Sequence, residues 1–171
     1  SNNLIKEAYK KGVPMGGSLV SNGVQSPEFL IWAQKDPKTT SLQRLQVIKG
    51  WIDPTDGSTH ETVYDAACSD GLKVNPETNR CPDNGARVNL SNCSVSDLGA
   101  VELQTVWTDP EFNPNESAFY YVRVLENPSC RWTAWDAVNN GKKPSEDFDH
   151  ITQDRAWSSP IWYSPSSPNE E

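Results

Sequence analysis

The chain reads as an all-β, antiparallel β-sandwich-like domain with long loops and at most one or two short helices. Three observations predict this: several short alternating apolar runs, frequent Pro and Gly between them, and few stretches with helical spacing. The clearest run is Ala118 to Glu126, AFYYVRVLE. In it Phe119, Tyr121, Arg123 and Leu125 share one face while Tyr120, Val122, Val124 and Glu126 share the other. That is the period of a strand covered on at least one side, and Pro128 ends it.

The remaining elements follow in chain order. Residues 1–23 read as a loop or linker, because KGVPMGGSLVSNG carries too many glycines and too early a proline for regular structure. The sandwich proper then spans 24–163. Phe29 to Lys35 (FLIWAQK) is an apolar strand closed by Asp36-Pro37. Leu42 to Ile52 (LQRLQVIKGWI) sets Leu45, Val47 and Trp51 against Arg44 and Gln46, a half-buried pattern. Between these two strands DPKTTS has the length of a hairpin turn.

Asp53 to Gly57 is a further turn, and His60 to Ala67 (HETVYDAA) is a third strand with small apolar residues. Residues 68–98 form an irregular insertion that needs pinning, since structureless loops beyond ~12–15 residues are uncommon in compact domains. Val101 to Trp107 is a short strand and TDPEFNPNES a turn-rich link. After the main strand, Trp132 to Val138 makes two helical turns stopped by Asn139-Asn140-Gly141. Arg155 to Tyr163 (RAWSSPIWY) is a strand interrupted by Pro160, which places it at an edge or a bulge. Residues 164–171 read as a disordered tail.

At 171 residues the chain suits one domain. Its apolar fraction is only 35%, so core volume must come from large side chains, a need that seven tryptophans meet. Twenty-three acidic against 15 basic residues give a net charge of −8, which argues against binding nucleic acid or anionic lipid. No apolar run approaches the ~20 residues of a membrane span, and the first residues lack the apolar stretch of a signal peptide. Without an initiating Met, the chain reads as processed or excised from a longer one.

Cys68, Cys81, Cys93 and Cys130 include no tight Cys-x-x-Cys pair of the kind zinc sites use, so they read as two disulfides, with all three pairings open. Disulfides place the protein in a periplasm or outside the cell; four free thiols in a cytosolic protein are the alternative.

No complete set of catalytic groups is legible. The turn after the main strand gathers Glu126, Asn127, Arg131 and Trp132, the mix of charge, amide and indole from which loops build ligand or interdomain contacts. The competing reading pairs Arg131 with Glu126 and stacks it on a ring, merely fixing the turn. Asp53 and Asp56, with Thr59 and Glu61, space oxygens around a Gly turn as a calcium loop does, but without the EF-hand pattern. Asp109, Glu111 and Glu116 form a similar oxygen-rich cluster that turn chemistry explains. Cys130 beside Arg131 suits a structural bridge better than a nucleophile. Trp132, Trp135, Trp157 and Trp162 offer either a stacking platform for sugars or packing mass.

GVPMGG, LQVIKGW, ETVYDAACSDG, CPDNGARVNL, WTDPEF, AFYYVRVLENPSCRW and RAWSSPIWY together resemble the C-terminal part of a bacterial family of unknown function. Its longer members carry a PHP-like metallohydrolase domain upstream. The resemblance implies an accessory domain whose partner is that upstream domain of the same polypeptide, with any divalent metal held there and no cofactor here. Only His60 and His150 occur in this chain, too few for a PHP-type site, so no catalytic residue carries over. The likeness also implies that the sheet lacks one strand, which an upstream segment or a second copy would supply at an exposed edge.

Overall fold

The computed structural model describes residues 2–20 and 25–165. Residues 1 and 21–23 of the expected loop, residue 24 of the expected sandwich and 166–171 of the expected tail lie outside these. In chain order the elements are α1 (Asn2–Lys11), β1 (Ser18–Val20), β2 (Glu28–Gln34), β3 (Leu42–Ile52), β4 (Thr59–Cys68), β5 (Val88–Asn89), β6 (Ser94–Val95), β7 (Glu102–Thr108), β8 (Ser117–Glu126), β9 (Ser129–Cys130), α2 (Trp132–Asn139), β10 (Ile151–Thr152), β11 (Arg155–Trp157) and β12 (Ile161–Ser164). The all-β class holds.

A six-stranded sheet runs β1-β12-β8-β3-β4, with β11 also paired to β8. All its ladders are antiparallel except β1 on β12. A second sheet pairs β2 with β7 from Glu28↔Thr108 to Gln34↔Glu102. It lies on one face of the first: Phe29, Ile31 and Leu103 pack with Leu45, Val47, Tyr120 and Tyr163. Rings supply much of this contact, with Phe29 4.7 Å from Tyr120 and Tyr64 5.4 Å from Trp107 between centroids.

The structure corrects four expectations. Residues 1–23 are not all loop, since α1 forms there and β1 joins the main sheet. DPKTTS does not close a hairpin; it carries the chain from the second sheet to the first. Strand β3 is not half-buried. Lying between β4 and β8, it hides Gln46 (1% exposed) and Lys49 (2%) because both have internal partners. Gln46 donates to Asp65 Oδ1 at 2.6 Å and accepts from Arg123 Nε at 2.7 Å, while Asp65 Oδ2 takes the Cys81 N–H and Arg44. Finally, RAWSSPIWY is two strands rather than one. Ser158 bridges them, its N–H donating to Val122 O and its Oγ accepting from Val122 N–H, so β8 stays paired across the break before Pro160.

The irregular insertion is pinned as expected. Cys68 bonds Cys81, closing it onto β4, and Cys93 bonds Cys130, tying it to β9. Around the second bridge Ala134 of α2, Val88, Leu90 and Val138 form a small satellite core. Two disulfides suit an oxidising environment. Among the described residues no helix is long and apolar enough to cross a membrane.

Candidate functional site

The strand-end turn divides into an inner and an outer pair. Glu126 takes hydrogen bonds from Thr39 Oγ1 at 2.7 Å and Thr40 Oγ1 at 3.2 Å, so it fastens the 36–41 loop instead of pairing with Arg131. Asn127 is buried; its Nδ2 donates to Leu98 O at 2.8 Å and its Oδ1 accepts from Asn84 at 2.9 Å. Gly99 makes that fit: it sits at φ 96°, and a Cβ there would fall 2.6 Å from Asn127 Nδ2. Arg131 and Trp132 instead face outward at the start of α2, Trp132 with 73% of its surface open.

Other large apolar side chains near that outward pair are also exposed. Phe148 and Ile151 on the segment returning to β9, and Trp135 one turn along α2, are all substantially exposed. Trp132, Phe148 and His150 line one shallow hollow of about 240 Å³.

A second feature is an apolar cleft of about 530 Å³ at one end of the main sheet, whose lining includes Gly50, Ile52, Ser117, Phe119, Trp162 and Ser164. Phe119 and Trp162 meet at 5.5 Å and Trp51 stacks on His60 at 5.2 Å between centroids. Of the four tryptophans considered from the sequence, only Trp162 enters this cleft.

The calcium-loop pair serves its own turn: Asp53 Oδ1 accepts the Thr55 N–H and Asp56 Oδ1 the Ser58 N–H. Those Ser58 bonds hold the Asp56 carboxyl below its usual range. Among the described residues no three His, Cys, Asp or Glu side chains are placed to hold a metal ion.

The third feature is buried and was not visible as a unit in the sequence. Lys49 projects from β3 into the space between the sheets, with its Nζ 2.7 Å from Asp109 Oδ2, 2.7 Å from Glu111 O and 4.0 Å from Glu116 Oε2. Tyr120 donates to Asp109 Oδ2 at 2.8 Å and Tyr64 to Glu111 Oε2 at 2.7 Å. Both phenols have their pKa pushed well up. Burial is the main cause, followed for Tyr64 by the bond to Glu111 and for Tyr120 by the charge of Asp109.

The oxygen-rich link after β7 is thus more than turn chemistry: Asp109 and Glu116 lie beside a cationic side chain from β3. The local signal for Lys49 is its place between Val47 and Trp51, two residues to either side on an inward face.

No curated protein and no solved structure matches the chain. The family model described as "Protein of unknown function (DUF3604)" matches residues 1–165, and the chain belongs to that family.

Proposed function

We propose that this is a non-catalytic accessory domain of a larger, exported DUF3604 protein, packing against a PHP-like metallohydrolase domain upstream in the same polypeptide. Any divalent metal would be held in that upstream domain. The observation that carries the reading is the aromatic surface around α2, with Trp132 73% and Phe148 65% exposed beside Trp135 and Ile151. Large exposed aromatic side chains gathered on one region favour a contact face, and Trp with a neighbouring Arg is the usual anchor chemistry of one. Arg131 supplies the charged rim.

Hydrogen exchange across residues 132–151 tests it, comparing the full-length polypeptide with this domain alone. Protection of that segment only in the full-length protein, lost on Trp132→Ala with Phe148→Ala, is expected. Equal exchange in both would discard the docking surface.

The cleft at the sheet end favours a second reading, in which the domain binds a carbohydrate or other ligand by stacking it on Trp162 and Phe119. Oligosaccharide titration followed by tryptophan fluorescence decides it: a saturable change abolished by Trp162→Ala supports binding, and a flat response removes it.

A further inference from the structure

Lys49, Asp109 and Glu116 take no part in either surface, yet they place an amine, a carboxyl group and a second carboxylate together inside the domain. The Lys49 side chain is 2% exposed and that of Asp109 fully enclosed. We propose that Lys49 Nζ and Asp109 Cγ become joined by an intramolecular isopeptide bond, formed by the folded chain itself with Glu116 as proton carrier.

Three conditions are needed for a carboxyl group and an amine to condense without activation, and the geometry offers each. The first is proximity. Nζ lies 2.7 Å from Asp109 Oδ2, held by β3 on one side and by the end of β7 on the other. Such fixed pairs reach effective concentrations on the order of 10⁵ M or more, which offsets the advantage that bulk water gives to hydrolysis.

The second is a means of neutralising the pair, since an ammonium has no lone pair with which to attack. The 2.7 Å contact between Nζ and Asp109 Oδ2 is the path along which one ammonium proton would pass to the carboxylate before attack. Glu116, with Oε2 4.0 Å from Nζ, is the nearest second carboxylate and would carry it after closing to hydrogen-bond distance. The third is stabilisation of the tetrahedral intermediate. The Glu111 N–H donates to Asp109 Oδ1 at 2.9 Å and the Tyr120 hydroxyl to Oδ2 at 2.8 Å, so each oxygen already has a donor.

The atoms balance with no outside reagent. The Nζ–Cγ bond forms and the Cγ–Oδ2 bond breaks. Two of the three ammonium protons leave with Oδ2 as water, the third stays on the amide nitrogen, and Glu116 ends in the state in which it began. Nothing is oxidised or reduced. The product exchanges a buried ion pair for a neutral amide and ties β3 of the main sheet to the end of β7 in the second sheet.

Intact mass of the fully reduced, denatured wild-type protein tests this directly. The expected mass is lower than the sequence mass by one water, and digestion should yield a branched peptide joining the segments around Lys49 and Asp109. Succinimides at Asp56-Gly57 or Asp70-Gly71 would lose the same mass, so the branched peptide and Lys49→Arg separate the two explanations. The variant is expected to regain the full sequence mass.

Wild-type protein at its sequence mass, or a water loss that survives Lys49→Arg, overturns the bond. Glu116→Gln is expected to leave most freshly purified chains unjoined. Joining at the wild-type rate in that variant overturns the role given to Glu116.

Discussion

The ring of Phe119 on β8 lies across the bare backbone of Gly50 on β3, so closely that a Cβ at Gly50 would sit 2.3 Å from Phe119 Cζ. A glycine in a central strand is otherwise a weakness. Here it is a seat for an aromatic ring, which in turn reaches Trp162 at 5.5 Å and lines the cleft. Gly50→Ala is therefore expected to destabilise the domain by about 1–3 kcal/mol through overpacking. Urea unfolding measures it. Because the clash is with one ring, the loss should shrink in a Phe119→Ala background, and an unchanged loss there would show that the ring is not what Gly50 accommodates.

The disulfides allow a second comparison. Cross-links act mainly by restricting the unfolded chain, and the Cys93–Cys130 bridge spans 37 positions against 13 for Cys68–Cys81. Loop-closure entropy puts their contributions at about 4 and about 3 kcal/mol respectively. Cys93→Ala with Cys130→Ala should also loosen α2, because that bridge is the centre of the satellite core containing Ala134. Unfolding curves of the two double variants give the order. A larger loss from Cys68→Ala with Cys81→Ala would mean that the denatured state, not loop length, governs these bridges.

Much of this architecture was legible because alternation is local. The runs at 29–35, 42–52, 60–67, 101–107 and 118–126 all became strands within a residue or two of their expected bounds. Pairing is not local. DPKTTS has hairpin length, but length alone cannot say that β2 would leave β3 for β7. At the N-terminus, IKEAYKK contains good helix formers, but the glycines and proline that follow carry the stronger local signal and mask α1. The Cys pairing depended on β9 bringing Cys130 to Cys93. For the buried cluster, the inward position of Lys49 was readable from Val47 and Trp51; its partners arrive from a distant link whose carboxylates look solvated when taken alone.

The strand-end turn yields a prediction that separates its two pairs. Asn127 spends its amide on Leu98 and Asn84 inside the domain, so Asn127→Ala should cost about 1–3 kcal/mol by leaving buried groups without partners. Arg131 and Trp132 face outward, and alanine at either should change the stability of this domain by no more than about 0.5 kcal/mol. Denaturant titration of the three variants checks the contrast. A large loss from Trp132→Ala in the isolated domain would mean that its ring packs within the fold, and the docking surface would lose its anchor.

Tyr64 and Tyr120 set the response to alkali. Both are enclosed, at 1% and 2% exposure, and burial raises both phenols above the ordinary tyrosine value of 10.0. Above that pH the unfolded chain releases protons that the folded chain retains. The unfolded state then binds fewer protons, and by linkage the unfolding free energy falls as pH rises. Their contribution is intact below about pH 10 and declines through the raised folded values.

The phenolate absorbance of these two residues should therefore appear together with loss of the far-ultraviolet circular dichroism of the sheets, not ahead of it. An amide at Asp109 would remove the charge that is the second cause at Tyr120 but leave burial in place, so the behaviour holds for the joined and unjoined chain alike. Tyr120→Phe should weaken the decline above pH 10, at the expense of a lost donor to Asp109 at neutral pH. Phenolate formation at Tyr64 or Tyr120 in a still-folded protein, or stability that rises above pH 10, would contradict the enclosure of both rings between the sheets.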